Sequence, residues 1–120
     1  DPQNSFRPAP GKVESLHFPG GPGVRVDSCL YNGCDLSPYY DSMVAKLLVH
    51  APTRLEAIRR MRRVLEEFTL EGFPTNAELS YQILYHPSFI RGTCTTAFLE
   101  EHLPRLLDFN RRLNETEAEA

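Results

Sequence analysis

Hydrophobic and polar residues alternate in the first half of the chain, whereas the second half repeats its hydrophobic residues every three to four positions. Alternation is typical of β-strands, because successive side chains point to opposite faces. Candidate strands therefore cover residues 11–18 and 24–31. The hydrophobic run at 43–50 predicts a third, largely buried strand, although so short a run is also compatible with a helix. The proline- and glycine-rich segment 19–23 separates the first two and predicts that they pair as a hairpin with a five-residue loop.

The longest helical pattern begins at Thr53. Thr53 and Glu56 have the spacing of a capping box, in which each side chain satisfies a backbone amide that the helix leaves free. The hydrophobic residues that follow share one helical face: Ala57, Ile58, Met61, Val64, Leu65 and Phe68. This spacing predicts an amphipathic helix that runs into a β-like segment at 68–71.

Shorter helical patterns fill the rest of the chain. Thr75 and Glu78 repeat the capping-box spacing and predict a helix over 76–85, and residues 87–91 predict one further turn. Strands followed by helices indicate an α+β fold, a small antiparallel β-sheet with helices packed on one face.

The last helical segment is capped by Thr95 or Thr96 and is expected to be interrupted at Pro104, which lacks a backbone donor. Polar residues and alanine predominate after it. We therefore predict a domain over residues 1–109 and a frayed or disordered tail over 110–120.

The composition of the 120-residue chain fits one soluble globular domain, with 41% hydrophobic and 24% charged residues. The net charge of -3 argues against nucleic-acid binding, and no hydrophobic run reaches the ~20 residues of a membrane span. Three cysteines are too few for a disulfide framework and no signal peptide is seen, so we expect a cytoplasmic location. A start at Asp1 without methionine suggests a piece of a longer polypeptide.

Arg25 is the candidate functional residue of the second strand. The β period of two places Arg25 and Asp27 on one face and Val24 and Val26 on the other. A guanidinium on a rigid strand, oriented by a carboxylate two residues away, can bind a carboxylate, a phosphate or a developing oxyanion. The alternative interpretation is an ordinary solvated strand face.

Two further candidate sites have simpler interpretations. The glycine-rich segment 19–23 could cradle a phosphate, but it lacks the phosphate-loop motif and no helix follows, so a plain turn is favoured. His17, Cys29 and Cys34 could bind zinc, but their spacing is loose and a fourth ligand is missing, so small buried thiols are favoured.

Two charged features also have structural alternatives. Lys46 lies in a strand that looks buried, and an ion pair with Asp41 is favoured over direct chemistry. The arginine-rich helix face could dock an acidic partner, which would make the chain a non-catalytic interaction module. A solvated helix face is favoured, because nearby glutamates largely neutralise the arginines: Arg59, Arg60, Arg62 and Arg63.

An ordered set of motifs connects these segments. It comprises Asp1-Pro2, Phe6, Pro8, Gly11-Lys12-Val13, the run from Gly20 to Ser28, Tyr40-Asp41-Ser42-Met43, Lys46-Leu47, Thr53-Arg54, Ala57-Ile58, Met61-Arg62-Arg63, Glu71-Gly72, Thr75-Asn76, Phe89, Gly92, Thr95 and Phe98-Leu99-Glu100. In this order and spacing, over about residues 1–101, the chain resembles the C-terminal domain of biotin carboxylase.

The resemblance implies a part of an ATP-dependent carbon–nitrogen ligase, such as the biotin carboxylase component of acetyl-CoA carboxylase in fatty acid biosynthesis. In that family an ATP-grasp domain uses ATP and Mg²⁺ to activate bicarbonate, and biotin on a biotin carboxyl carrier protein is then carboxylated. Most nucleotide and metal ligands lie upstream in the family, so the isolated chain is expected to be inactive and to hold no metal.

The resemblance also assigns individual residues. The position of Arg25 matches the family's arginine that faces biotin and helps to stabilise its ureido oxygen, which implies both a catalytic and a biotin-binding role. Arg54 matches a region of dimer contacts, so a homodimer of the parent enzyme is implied. Cys29 and His50 depart from the family pattern, in which histidine and an aromatic residue often occupy these positions.

Overall fold

The computed structural model of the chain describes residues 1–37, 39 and 42–119. Within these ranges, six short strands pair as three two-stranded antiparallel ladders. The ladders are β1 (Gly11–Lys12) with β4 (Asp35–Leu36), β2 (Ser15–His17) with β6 (Thr69–Glu71), and β3 (Val24–Ser28) with β5 (Ala45–Val49). Helices pack against this β-structure, which confirms the α+β class.

The predicted hairpin between the first two strands is wrong. β2 pairs with β6, and β3 pairs with β5, so the turn at 19–23 connects two ladders. The register explains the choice of partner, because it sets Val24 opposite Val49 and Val26 opposite Leu47. These four half-buried side chains form one continuous hydrophobic face.

Four α-helices follow or interrupt the strands in the described part of the chain: α1 (Arg54–Glu67), α2 (Ala77–Ile83), α3 (Pro87–Arg91) and α4 (Phe98–Glu119). The Thr53 hydroxyl accepts a hydrogen bond of 3.3 Å from the Glu56 amide, which confirms Thr53 as the N-terminal cap of α1. The predicted capping box of Thr75 and Glu78 is wrong. The Thr75 hydroxyl accepts a hydrogen bond from the Ala77 amide, and Asn76 occupies the N-terminal cap position of α2.

Helix α4 passes through Pro104 without interruption. Proline costs the helix one backbone hydrogen bond, and half-buried Leu103, Leu106 and Leu107 pack on both sides of it.

The expected frayed tail at 110–120 differs from the structure as well, since the helix continues to Glu119. Asp108 forms ion pairs with Arg111 at 2.6 Å and Arg112 at 2.9 Å, one helical turn further along.

The core has a strand part and a helix part. Buried Val13, Leu30 and Cys34 form the strand part, where half-buried residues surround them, and Ile58, Val64, Leu79, Leu84 and Phe98 are the buried hydrophobic residues of the helix part. Gly72 joins β6 to the chain beyond it at a φ of 121°, where a Cβ would collide with the Lys12 carbonyl. The core and this close contact thus hold β1, β2 and β6 together.

Candidate functional site

The β3–β5 ladder, here called the ribbon, presents Arg25 to solvent. Val24 and Val26 are half-buried, whereas Arg25 and Asp27 are exposed, as the alternation predicts. Across the ribbon, Arg25 faces Leu48 and Asp27 faces Lys46. The exposed face therefore combines two cations, one carboxylate and a partly exposed leucine.

Arg25 and Asp27 form a two-point ion pair. Nη2 donates to Oδ2 at 2.8 Å, and Nε donates to Oδ1 at 3.1 Å. The hydrogen bond and the charge of Asp27 raise the pKa of Arg25, so the guanidinium stays protonated. The hydrogen bond from Arg25 holds the pKa of Asp27 below its usual value, and the positive charge of Lys46 adds to the effect.

The ion pair fixes one edge of the guanidinium and leaves the other edge for a ligand. The Arg25 side chain is 70% exposed. No residue in the described ranges accepts a hydrogen bond from its Nη1 atom. A flat acceptor group can therefore take hydrogen bonds from Nη1 and rest its apolar part near Leu48.

The segment 19–23 is a turn, as favoured. The Val24 amide donates to the Gly21 carbonyl at 3.2 Å, and the His50 amide donates to the Gly23 carbonyl at 2.8 Å. The chain then enters β3 directly. The Val24 amide is thus already used within the turn, and the segment lacks the helix N-terminus that a phosphate cradle needs.

The candidate zinc ligands lie in different surroundings. Cys34 is buried in the strand core, where its sulfur accepts the Tyr31 amide at 3.5 Å, but Cys29 is exposed, so the interpretation of both as buried thiols is wrong for Cys29. Among the residues that the structure describes, no group of three or more His, Cys, Asp or Glu side chains could hold a metal.

Lys46 is exposed on the ribbon, contrary to the expectation of a buried strand. It lies opposite Asp27 in the register. Its predicted partner, Asp41, lies outside the described residues.

The arginines of α1 do not form one solvated face. Arg60 donates from Nη1 to the His50 carbonyl, and Arg62 donates from Nη2 to the Leu84 carbonyl at 2.8 Å. The Arg62 guanidinium also lies 3.8 Å from the centre of the Tyr85 ring. Of the predicted docking face, only Arg59 and Arg63 remain, and Arg63 pairs with Glu67 at 3.0 Å.

Arg54, which the resemblance assigns to a region of dimer contacts, binds within the chain. Its Nη2 atom donates to the Phe89 carbonyl, and its guanidinium lies 5.1 Å from the centre of the Phe89 ring. The contact joins the start of α1 to α3.

A cluster that the sequence pattern did not reveal joins α1 to α2. The Tyr81 hydroxyl donates to the Glu66 carboxylate and lies 3.1 Å from the Tyr85 hydroxyl. The hydrogen bond to Glu66 raises the pKa of Tyr81 above its usual value of 10.0, and the contact with Tyr85 acts in the same direction. The spacing of four between the tyrosines is the only signal in the sequence.

The helices of the described ranges include none with the length and hydrophobicity to cross a membrane.

Comparison with known proteins identifies the domain. Residues 1–101 match the family model of the biotin carboxylase C-terminal domain. The chain belongs to this family.

Similar proteins include a biotin carboxylase and a subunit of a pyruvate carboxylase. The chain is 45% identical over 101 residues to a biotin carboxylase of a Nostoc species, which covers 84% of this chain and 23% of that protein. It is 41% identical over 102 residues to a pyruvate carboxylase subunit of Methanothermobacter thermautotrophicus, covering 85% of this chain and 21% of the relative. The chain thus spans less than a quarter of the length of these curated relatives.

A solved relative has the same fold. The crystal structure of the biotin carboxylase domain dimer of Hydrogenobacter thermophilus 2-oxoglutarate carboxylase, in complex with MgADP, ADP and bicarbonate, superposes with a TM-score of 0.85. The sequences are 40% identical, and the match covers 88% of this chain and 23% of that chain.

Proposed function

We propose that this domain completes the biotin site of an ATP-dependent biotin carboxylase and that Arg25 is its catalytic, biotin-binding residue. The observation that carries the proposal is the free Nη1 edge of a guanidinium that Asp27 holds in place on the ribbon. The family membership of residues 1–101 supplies the reaction class.

The surroundings of Arg25 fit the ureido group of biotin. That group presents a carbonyl oxygen, an acceptor that matches the free donor, and its ring system has an apolar body that can lie near Leu48. Carrier-linked biotin supplies the ureido nitrogen on which the carboxyl group is carried. Arg25 binds the ureido oxygen and stabilises negative charge that develops there, in an orientation set before the substrate arrives.

The described residues do not fit ATP or Mg²⁺. They offer no cluster of carboxylates for a divalent cation. The glycine-rich segment is a turn whose Val24 amide is already bonded to Gly21. We therefore propose that an upstream ATP-grasp domain of the parent enzyme holds both ligands, and that the isolated chain is inactive.

The proposed partners follow from the same reaction. They are the biotin carboxyl carrier protein, the ATP-grasp domain and a second copy of the parent enzyme, which we place in the cytoplasm. The relative from Hydrogenobacter thermophilus is a domain dimer, which supports the last contact. The parent enzyme that we propose is the biotin carboxylase component of acetyl-CoA carboxylase or of a related carboxylase, and the names of relatives add pyruvate and 2-oxoglutarate carboxylases. The final acceptor of the carboxyl group is selected by another domain.

Substitution of Arg25 by methionine in the parent enzyme tests the role. We expect the rate of biotin carboxylation to fall about 10²–10³-fold, because one donor to a developing oxyanion is lost. Bicarbonate-dependent ATP hydrolysis without biotin should stay close to the parental rate, since ATP is held elsewhere. Both rates are measured on the same preparation.

Arg63→Met is the matched control, since it removes an exposed arginine that pairs with Glu67 on α1. It should leave both rates unchanged. Normal carboxylation by the Arg25→Met enzyme would contradict the proposed role. Loss of activity after charge reversal at Arg59 and Arg63, with Arg25→Met fully active, would support the interaction module instead.

A further inference from the structure

One end of the ribbon is attached to helix α1 through Arg60. The Arg60 guanidinium donates to the carbonyl of His50, the residue that follows β5. The His50 amide in turn donates to the carbonyl of Gly23, the residue before β3, at 2.8 Å. The side chain of Arg60 therefore contacts the ribbon only two residues from Arg25.

Gly23 leaves the space that the Arg60 guanidinium occupies. Its φ is 70°, in the left-handed region that favours glycine. A Cβ at this position would collide with the Arg60 Nη1 atom and the His50 carbonyl oxygen. The glycine, the carbonyl and the guanidinium thus fit together as one close contact, with Arg60 itself half-buried.

The ribbon needs such an attachment. In the described part of the chain, β3 and β5 pair only with each other. A two-stranded ribbon is marginally stable alone, so its position relative to the rest of the domain depends on contacts with α1. β5 packs against α1, and Arg60 adds a directional hydrogen bond at the end of the ribbon nearest Arg25.

The geometry points to Arg60 as a positioning residue for the biotin site, which fixes the Gly23–His50 end of the ribbon and through it the location of Arg25. This inference rests on the proposed function, since it assigns Arg60 to the same reaction. A displacement of about 1 Å in a reacting group can lower a rate about 10²-fold, so a loose ribbon end would be costly.

The test compares Arg60→Met with Arg62→Met in the parent enzyme. Both variants remove a guanidinium of α1 that donates to a main-chain carbonyl, but Arg62 binds Leu84 at the end of α2, away from the ribbon. Arg60→Met should lower kcat/KM for biotin about 10–100-fold and leave bicarbonate-dependent ATP hydrolysis unchanged. Arg62→Met should leave both values unchanged, and Arg60→Lys should recover part of the loss because it restores a cationic donor.

Two further measurements separate positioning from general damage. Amide hydrogen exchange at His50 should become about tenfold faster in Arg60→Met and stay unchanged in Arg62→Met, because only the first loosens the ribbon end. The double variant Arg25→Met/Arg60→Met should be no slower in carboxylation than Arg25→Met alone, since Arg60 acts through Arg25.

The outcomes distinguish the two proposals. If Arg25→Met is fully active, the proposed function fails, whatever the exchange data show. If Arg25→Met is impaired but Arg60→Met matches Arg62→Met, or the His50 amide keeps its protection, the positioning role fails and the proposed function stands. Equal losses of carboxylation and ATP hydrolysis in Arg60→Met would also overturn it.

Discussion

Arg25 on the ribbon and Arg62 on helix α1 differ in how much of the guanidinium remains for a ligand. Arg25 is 70% exposed and bonded along one edge to Asp27. Arg62 is half-buried, donates to the Leu84 carbonyl and covers the Tyr85 ring. The first arrangement orients a charge for use, whereas the second uses it to join two helices.

The kind of partner decides between these roles. On a strand, a carboxylate two residues from an arginine lies on the same face. Where that face is exposed, the paired arginine stays at the surface. A main-chain carbonyl belongs to a neighbouring element, so an arginine that binds it crosses the space between elements, as Arg60 and Arg62 do. A dense row of arginines on a helix is therefore poor support for a docking surface.

Gly23→Ala should lower the stability most among three substitutions that test this comparison, because it disturbs both the ribbon and the Arg60 side chain of α1. A side chain at φ 70° is strained and pushes the Arg60 guanidinium away from His50. We expect the free energy of unfolding to fall by about 3 kcal/mol. Urea unfolding of the chain measures it, with Gly20→Ala as the control because a Cβ there meets no atom within 4 Å. Equal stability of the two variants would show that the contact is dispensable.

Arg62→Met should lower the free energy of unfolding by about 2 kcal/mol, because a charged hydrogen bond and a cation–π contact are lost together. The same change at Arg63, an exposed i,i+4 pair with Glu67, should cost only about 0.3–0.5 kcal/mol. Urea unfolding again provides both values. Similar losses at the two positions would mean that the arginines of α1 are equivalent after all.

The smallest effect concerns the titration of Asp27. Its pKa is lowered in the folded chain, so its ion pair stabilises the fold above the usual value of 3.8 and is lost as the pH falls through the lowered pKa. Arg25→Met should raise the pKa of Asp27 towards 3.8, and Lys46→Met should raise it less, because the Arg25 hydrogen bond is the largest cause. Carboxyl-carbon NMR titration measures both, and the reverse order would contradict the assignment.

Local patterns predicted the parts of the structure that depend on neighbouring residues. The hydrophobic spacing from Ala57 to Phe68 predicted α1, and the Thr53 cap is confirmed. The period of two placed Arg25 and Asp27 on the exposed face. In each case the decisive contacts join residues a few positions apart, which a sequence shows directly.

Contacts between distant segments could not be read in this way. The turn at 19–23 is compatible with a hairpin, yet β2 finds its partner at β6 and β3 at β5. The Arg60 contact was missed for a related reason, since its acceptor is a main-chain carbonyl that every residue possesses. Side-chain identity carries no signal for such a bond.

The ribbon has a further consequence for the behaviour of the domain in solution. Within the described ranges, each of its two strands has one edge without a strand partner, and exposed edges of this kind can recruit a strand from another molecule. Arg25, Asp27 and Lys46 project from the exposed face between these edges. These charged side chains therefore also discourage the ribbon from pairing with a strand of another molecule.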